Sequence, residues 1–162
     1  MLYDNIMVPY DGSESAQAAL AEAVRYARED PGAALHIVQI VDTEQLVIEK
    51  LEKEGRNTPD ELSSVLLHAH YDEALAEADA ALRRQIGGLL KGLMNEITVD
   101  LLDETVPGEQ IVAFADEHAC DLIVMGSRGL GVLRGMLGSV SYGVLRSAEI
   151  PVLVAKKDEE EK

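Results

Sequence analysis

The chain has 162 residues, of which 47% are apolar but only 4% aromatic, and its 30 acidic against 14 basic residues leave a formal charge of −16. That length fits one domain, able to bury about 70% of the surface its unfolded form exposes, so no metal or disulfide is needed for stability. The negative charge argues against nucleic acid or an anionic membrane as partner except at a local basic patch. The shortage of aromatic side chains argues against base stacking on an aromatic platform, while a mononucleotide stays compatible.

The stretch from Met1 to Pro9 lacks the basic and long apolar regions of a secretory signal, and no apolar run approaches the ~18 residues of a membrane span. Cytoplasm is the expected compartment. Asn5 to Pro9 reads as a short buried strand, and Asp11-Gly12-Ser13 turns it into a helix with Ser13 as N-cap. Ala16, Ala19, Leu20, Ala23, Val24 and Ala27 share one face of that helix. Pro31-Gly32 ends it, and Ala34 to Val41 is a second strand.

Asp42 to Pro59 is polar and poorly periodic, and reads as a loop with a helical turn. Thr58-Pro59-Asp60-Glu61 carries the signals of a helix start, and apolar residues keep helical spacing from Leu62 to Leu93, with Gly87-Gly88 as a bend or an end. His68 and His70 lie two apart, hence on different helix faces, which disfavours a shared metal. Ile97 to Leu102 alternates as a third strand, and Val106-Pro107-Gly108-Glu109 opens a helix with Ile111, Phe114, Ala115 and Ala119 inward. Cys120, the single cysteine, reads as a buried thiol beside a surface imidazole, His118, and not as a nucleophile.

Leu122 to Met125 is the fourth strand. Ser139 to Ser147 forms a helix with Val140, Val144 and Leu145 buried, and Pro151 precedes a fifth strand, Val152 to Ala155. Strands apolar on both faces that alternate with helices define a mostly parallel sheet covered on both sides, with right-handed crossovers. Residues 1–157 then form one domain, and the charged tail 158–162 is expected to be disordered.

Between the fourth strand and the last helix the composition changes. Leu122 to Lys157 holds five Lys or Arg and one acid, and five glycines fall between Gly126 and Gly138. Amides freed by glycine and aimed from a helix start suit an anion, most often phosphate. Gly129-Leu130-Gly131 is followed by glycine at Gly135, one residue too late for a dinucleotide fingerprint, and no Gly-Lys-Ser/Thr forms a P-loop. In a doubly wound sheet ligands bind beyond the carboxyl ends of the strands, where strand order reverses. Two such ends are equipped here: Pro9-Tyr10-Asp11-Gly12 and Gly126 onward.

Taken together, Val8-Pro9-Tyr10-Asp11-Gly12-Ser13, Val106-Pro107-Gly108-Glu109, the run from Asp121 to Gly129, Leu137-Gly138-Ser139-Val140 and Ile150 to Val154 resemble the universal stress protein family over nearly the whole chain. The resemblance implies an α/β fold of the adenine nucleotide alpha hydrolase-like type, a doubly wound five-stranded parallel sheet of order 3-2-1-4-5. It also implies a homodimer paired through Val152 to Ala155, an apolar edge strand that proteins seldom leave open. In one branch it implies ATP binding, with or without Mg2+.

That branch carries G-2x-G-9x-G-[ST]. Here it implies Gly126, Gly129, Gly138 and Ser139 around the phosphates, with eight residues between Gly129 and Gly138 in place of nine. Val140 and Ser141 would add amides and a hydroxyl, Pro9, Tyr10, Asp11 and Ile40 would line the adenine and ribose end, and Met125 would close the floor. Arg128 and Arg134 are phosphate contacts or solvated loop residues, Asp11 is also a common turn former, and Ser139 serves equally as an N-cap. Arg146 suits the C-terminus of its helix.

Neither His-x-Gly-His nor Ser-Gly-Gly-x-Asp-Ser, the signatures of adenylylating enzymes of similar fold, is present, and no general base stands out. The expected role is an ATP-binding interaction module of the stress response. The alternatives are a nucleotide-free protein acting through its dimer surface and a weak ATP hydrolase using Mg2+ and Asp11.

Overall fold

The structure, a computed structural model, describes residues 2–56, 64–103, 106–127 and 136–156. Five strands, β1 (Asn5–Pro9), β2 (Ala34–Val41), β3 (Ile97–Asp103), β4 (Leu122–Gly126) and β5 (Val152–Ala155), alternate with five helices among these residues. The helices are α1 (Glu14–Glu29), α2 (Thr43–Lys53), α3 (Ser64–Ile86), α4 (Pro107–Glu117) and α5 (Ser139–Ser147). All strand pairings are parallel, in the order β3-β2-β1-β4-β5. The doubly wound sheet expected from the alternation is therefore present.

Side-chain alternation divides the interior into two layers. Ile6, Val8, Leu35, Ile37, Leu122 and Val124 point to the α1 side, where they meet Ala19, Leu20, Ala23 and Val24 of α1 and Leu82 and Ile86 of α3. Met7, Val38, Ile123 and Met125 point the other way, onto Ile111, Phe114 and Ala115 of α4 and Val144 of α5. Burial on both faces explains why these strands read as continuous apolar runs.

α1 starts where the sequence places it, because the Ser13 hydroxyl accepts a hydrogen bond from the Ala16 amide at 3.2 Å. It ends at Glu29, two residues before Pro31. α3 stops at Ile86, just before Gly87-Gly88, and the chain descends through turns to Asn95. The helix-start signals at Thr58 to Glu61 lie outside the described residues, as does the tail 158–162.

Ala119, expected inward on the helix that follows Pro107, instead lies beyond the last residue of α4, Glu117, and is exposed with φ 50°, and two larger expectations are corrected. The stretch after Asp42 is not a loop with a single helical turn but the eleven-residue α2, capped by Asp42, whose carboxylate accepts from the Gln45 amide at 3.0 Å. It docks on α3 through Val47, Leu51 and Ala74, and through Lys50, which is only 5% exposed. Lys50 Nζ donates to Glu77 at 2.6 Å and to Glu54 at 2.8 Å, and those bonds hold its pKa above the usual lysine range. A lysine at an inward position broke the apolar period on which the sequence reading relied.

The second correction concerns α5. Val144 is fully buried, but Val140 and Leu145 are exposed, together with Met136, Leu137 and Tyr142. One stripe of the helix meets the core while the neighbouring apolar stripe faces outward from the single chain.

Candidate functional site

The carboxyl ends of β1 and β4 lie side by side in the sheet, and the chain leaves β1 toward β2 but leaves β4 toward β5. This is the reversal point at which doubly wound folds form a ligand crevice. Two helix starts converge on it. α1 begins just after the Asp11-Gly12 turn, where Gly12 takes φ 81°, and α5 begins at Gly138.

Gly126 joins them. A Cβ on this residue would stand 2.5 Å from Ser15 Oγ and 2.8 Å from the Ala16 amide nitrogen, so only glycine lets the first turn of α1 rest on the end of β4. On the other side, Ser141 Oγ donates to the Gly126 carbonyl at 2.8 Å. The Gly138 amide donates to the Ser127 carbonyl at 3.0 Å, and the Ser127 amide donates to Ala155 of β5 at 2.9 Å. The two ends of the glycine-rich segment are thus clasped against the sheet. Gly138, and not Ser139, is the N-cap of α5, and no side chain caps that helix. Its first-turn amides therefore remain available to an external acceptor, in the orientation that favours an anion.

The remaining candidates are distributed over the ends of β1, β2 and β4 and the start of α5. Pro9 ends β1, Ile40 is half-buried on the α4 side of β2, and Met125 is buried on the same face. Asp11 is exposed, and its Oδ1 accepts from the Ser13 amide at 2.9 Å, so it is a turn former whatever else it does. The Tyr10 ring is buried in the opposite layer with α1, and its amide donates to the Val38 carbonyl at 2.8 Å. Burial, then the Asp11 charge, raises its phenol pKa, and its side chain lies in the layer opposite Ile40 and Met125. Ser139 and Val140 occupy the first turn of α5, and Ser141 is buried with its hydroxyl spent on Gly126. Arg128 and Gly129 lie outside the described residues, as do Gly131, Arg134 and Gly135.

Sequence reasoning missed Ser15 and Ser127, both buried. Ser15 could have been found from its place two residues after the N-cap, in a turn built of small residues that a strand end can approach. Ser127 contributes only its backbone to the clasp, and a backbone role leaves no signal in residue type. Cys120, by contrast, is buried as expected, and burial followed by the charge of Asp121 pushes its thiol up to about 11. It is inert at neutral pH.

The arrangement fits a phosphate group through the uncapped amides at the start of α5, beside an apolar strip of Ile40 and Met125 on one face of the sheet. The fold is a doubly wound α/β sheet with a crevice at its strand-order reversal, and comparison with known proteins gives its family. The model of the "Universal stress protein family" matches residues 2–156. The chain is 35% identical over 161 residues to Universal stress protein MJ0531 of Methanocaldococcus jannaschii, covering 99% of this chain and 86% of that one. The chain belongs to the universal stress protein family.

Among solved structures, that of the hypothetical protein MJ0577 superposes with a TM-score of 0.72 at 22% identity, covering 99% of this chain and 100% of that one, which supports the fold alone. The universal stress protein from Archaeoglobus fulgidus in complex with dAMP superposes with a TM-score of 0.61 at 26% identity, covering 96% and 100%. Among the described residues no helix is long and apolar enough to cross a membrane.

Proposed function

We propose that this chain binds an adenine nucleotide, ATP in the first instance, and works as a cytoplasmic, nucleotide-gated interaction module of the stress response rather than as a metabolic enzyme. The observation that carries the reading is the close approach of α1 and α5 at Gly126, which brings two helix starts to the strand-order reversal. The dAMP complex of the Archaeoglobus fulgidus relative supports the choice of an adenine nucleotide. In this reading Gly126, Gly138 and the amides of Ser139 and Val140 meet the phosphates, Gly129 and Arg128 complete the loop, and Mg2+ accompanies the phosphates as counter-ion. Pro9, Asp11, Ile40, Met125 and the backbone of Tyr10 form the nucleoside end, and Ser141 holds the cradle in shape.

The test is titration calorimetry with ATP and AMP on the wild type and on Gly138→Val. Gly138 has φ −63° and ψ 154°, a conformation open to any residue, so the added side chain crowds the cradle without straining the backbone. The wild type is expected to bind ATP, and the variant to lose about tenfold or more in affinity, at least 1.4 kcal/mol. Equal binding by both refutes the proposed cradle.

One observation favours a second reading: only eight residues separate Gly129 from Gly138, one fewer than the ATP-binding pattern. A nucleotide-free protein would then act through its dimer surface alone. Mass analysis of small molecules released from freshly purified, denatured protein separates the two, since only the first reading predicts a co-purifying adenine nucleotide.

A further inference from the structure

A groove of about 500 Å3 opens between α2, α3 and the end of β2, within the ~300 to 1,000 Å3 of typical small-molecule sites. It lies on the α1 side of the sheet, because its β2 residues, Gln39 and Val41, alternate with Ile40 on the opposite face. Its lining thus faces away from Ile40 and Met125, and the proposal below does not depend on the proposed nucleotide site. Its floor is aliphatic, with Val41, Leu46, Ala78 and Leu82.

The charges on its walls are unequally satisfied. Of the two carboxylates, Glu77 is held by Lys50 at 2.6 Å, and Glu49 Oε1 accepts from Gln45 Nε2 at 3.1 Å. Of the three cations, Lys50 is buried with Glu54, Glu73 and Glu77 around it. Lys53 and Arg84 line the same groove and have no carboxylate partner among the described residues. In a chain of charge −16, two unpaired cations beside an apolar floor complement a molecule with an anionic head and a hydrocarbon body.

We propose that this groove binds an aliphatic carboxylate, its chain laid along Val41, Leu46, Ala78 and Leu82 and its head held by Lys53 and Arg84, which carry no ion pair among the described residues. The variants Lys53→Ala and Arg84→Ala change exposed side chains and leave the fold intact, so they isolate the head-group contact.

The probe is decanoate, titrated into the full chain below its micelle concentration and followed by calorimetry and by amide shifts in NMR, with decanol as the uncharged control. Saturable binding is expected, with shifts centred on Leu46, Ala78 and Leu82. Lys53→Ala combined with Arg84→Ala should weaken decanoate about tenfold, as loss of two partly exposed ion pairs does, and leave decanol unchanged. Loss in either single variant identifies which cation takes the head. Decanoate bound equally by wild type and double variant, no saturation, or shifts centred on the exposed face of α5 would each overturn the proposal.

Discussion

The side chain that Gly126 lacks would occupy the space held by Ser15: a Cβ there would lie 2.5 Å from Ser15 Oγ and 2.8 Å from the Ser15 carbonyl carbon. Backbone atoms cannot rotate away, so Gly126→Ala must push α1 off the end of β4. Its expected cost is about 1 to 3 kcal/mol, the usual range for overpacking. Urea denaturation checks this, and Gly138→Val serves as the control expected to keep its stability. A Gly126 variant that also loses nucleotide has lost it through the scaffold, which is why Gly138 is the better probe of the crevice.

Asn95 ties the end of α1 to the start of β2, its Nδ2 lying 2.9 Å from the Ala27 carbonyl, 2.8 Å from that of Asp30 and 2.8 Å from that of Ala33. Removing the donor leaves partly buried acceptors unserved, so Asn95→Ala should destabilise by about 1 to 3 kcal/mol. Asn95→Asp should cost more, since a carboxylate would face three carbonyl oxygens. Midpoints of thermal unfolding for the two variants rank them, and the reverse order would contradict this account.

His36 gives stability a pH dependence. It is buried, with Nδ1 2.9 Å from Thr98 Oγ1, and its Nε2 is buried without a hydrogen-bond partner among the described residues. Burial, then the neighbouring His118, hold its pKa below 6.5, with Asp100 and Glu96 pulling the other way. Because the unfolded chain takes up this proton first, the stabilisation is complete above pH 6.5 and is lost as pH falls from there through the folded value. Denaturation between pH 7.5 and 5.5, about one unit either side of the free imidazole value, should show stability declining, and His36→Gln should flatten the decline. An unchanged slope in His36→Gln assigns the effect elsewhere.

The apolar residues exposed on α5, and the half-buried edge strand β5 that follows it, make self-association the expected fate of this surface. Light scattering should report a dimer for the wild type. Leu145→Glu, at a position 42% exposed in the single chain, should shift it toward monomer with its unfolding midpoint at low concentration unchanged. A monomeric wild type would remove the homodimer that the family resemblance implies.

Nine of the ten elements were legible because their cues are local: Ser13 before α1, Pro107 in the first turn of α4, Pro151 before β5, and unbroken apolar runs in the strands. α2 was not, although Asp42 followed three residues later by Gln45 is a helix-start cue of the capping-box kind. The apolar face of α5 was misjudged because periodicity reports that a stripe is apolar and does not say which surface covers it. At the end of β4 and the start of α5 the sequence placed Gly126 and Gly138 as observed but misplaced the cap. Gly138 takes that role through backbone geometry, which Ser139 as a residue type could not reveal.

The hydrogen bond from Gly138 to Ser127 fastens a buckle across ten intervening positions of the sequence. With the buckle shut, adding or deleting one link alters the closure entropy by only about a tenth of a kcal/mol and does not shift the two anchored ends. The number of residues between Ser127 and Gly138 is thereby uncoupled from the alignment of β4 and α5, and insertion or deletion of a residue there is expected to leave that alignment unchanged.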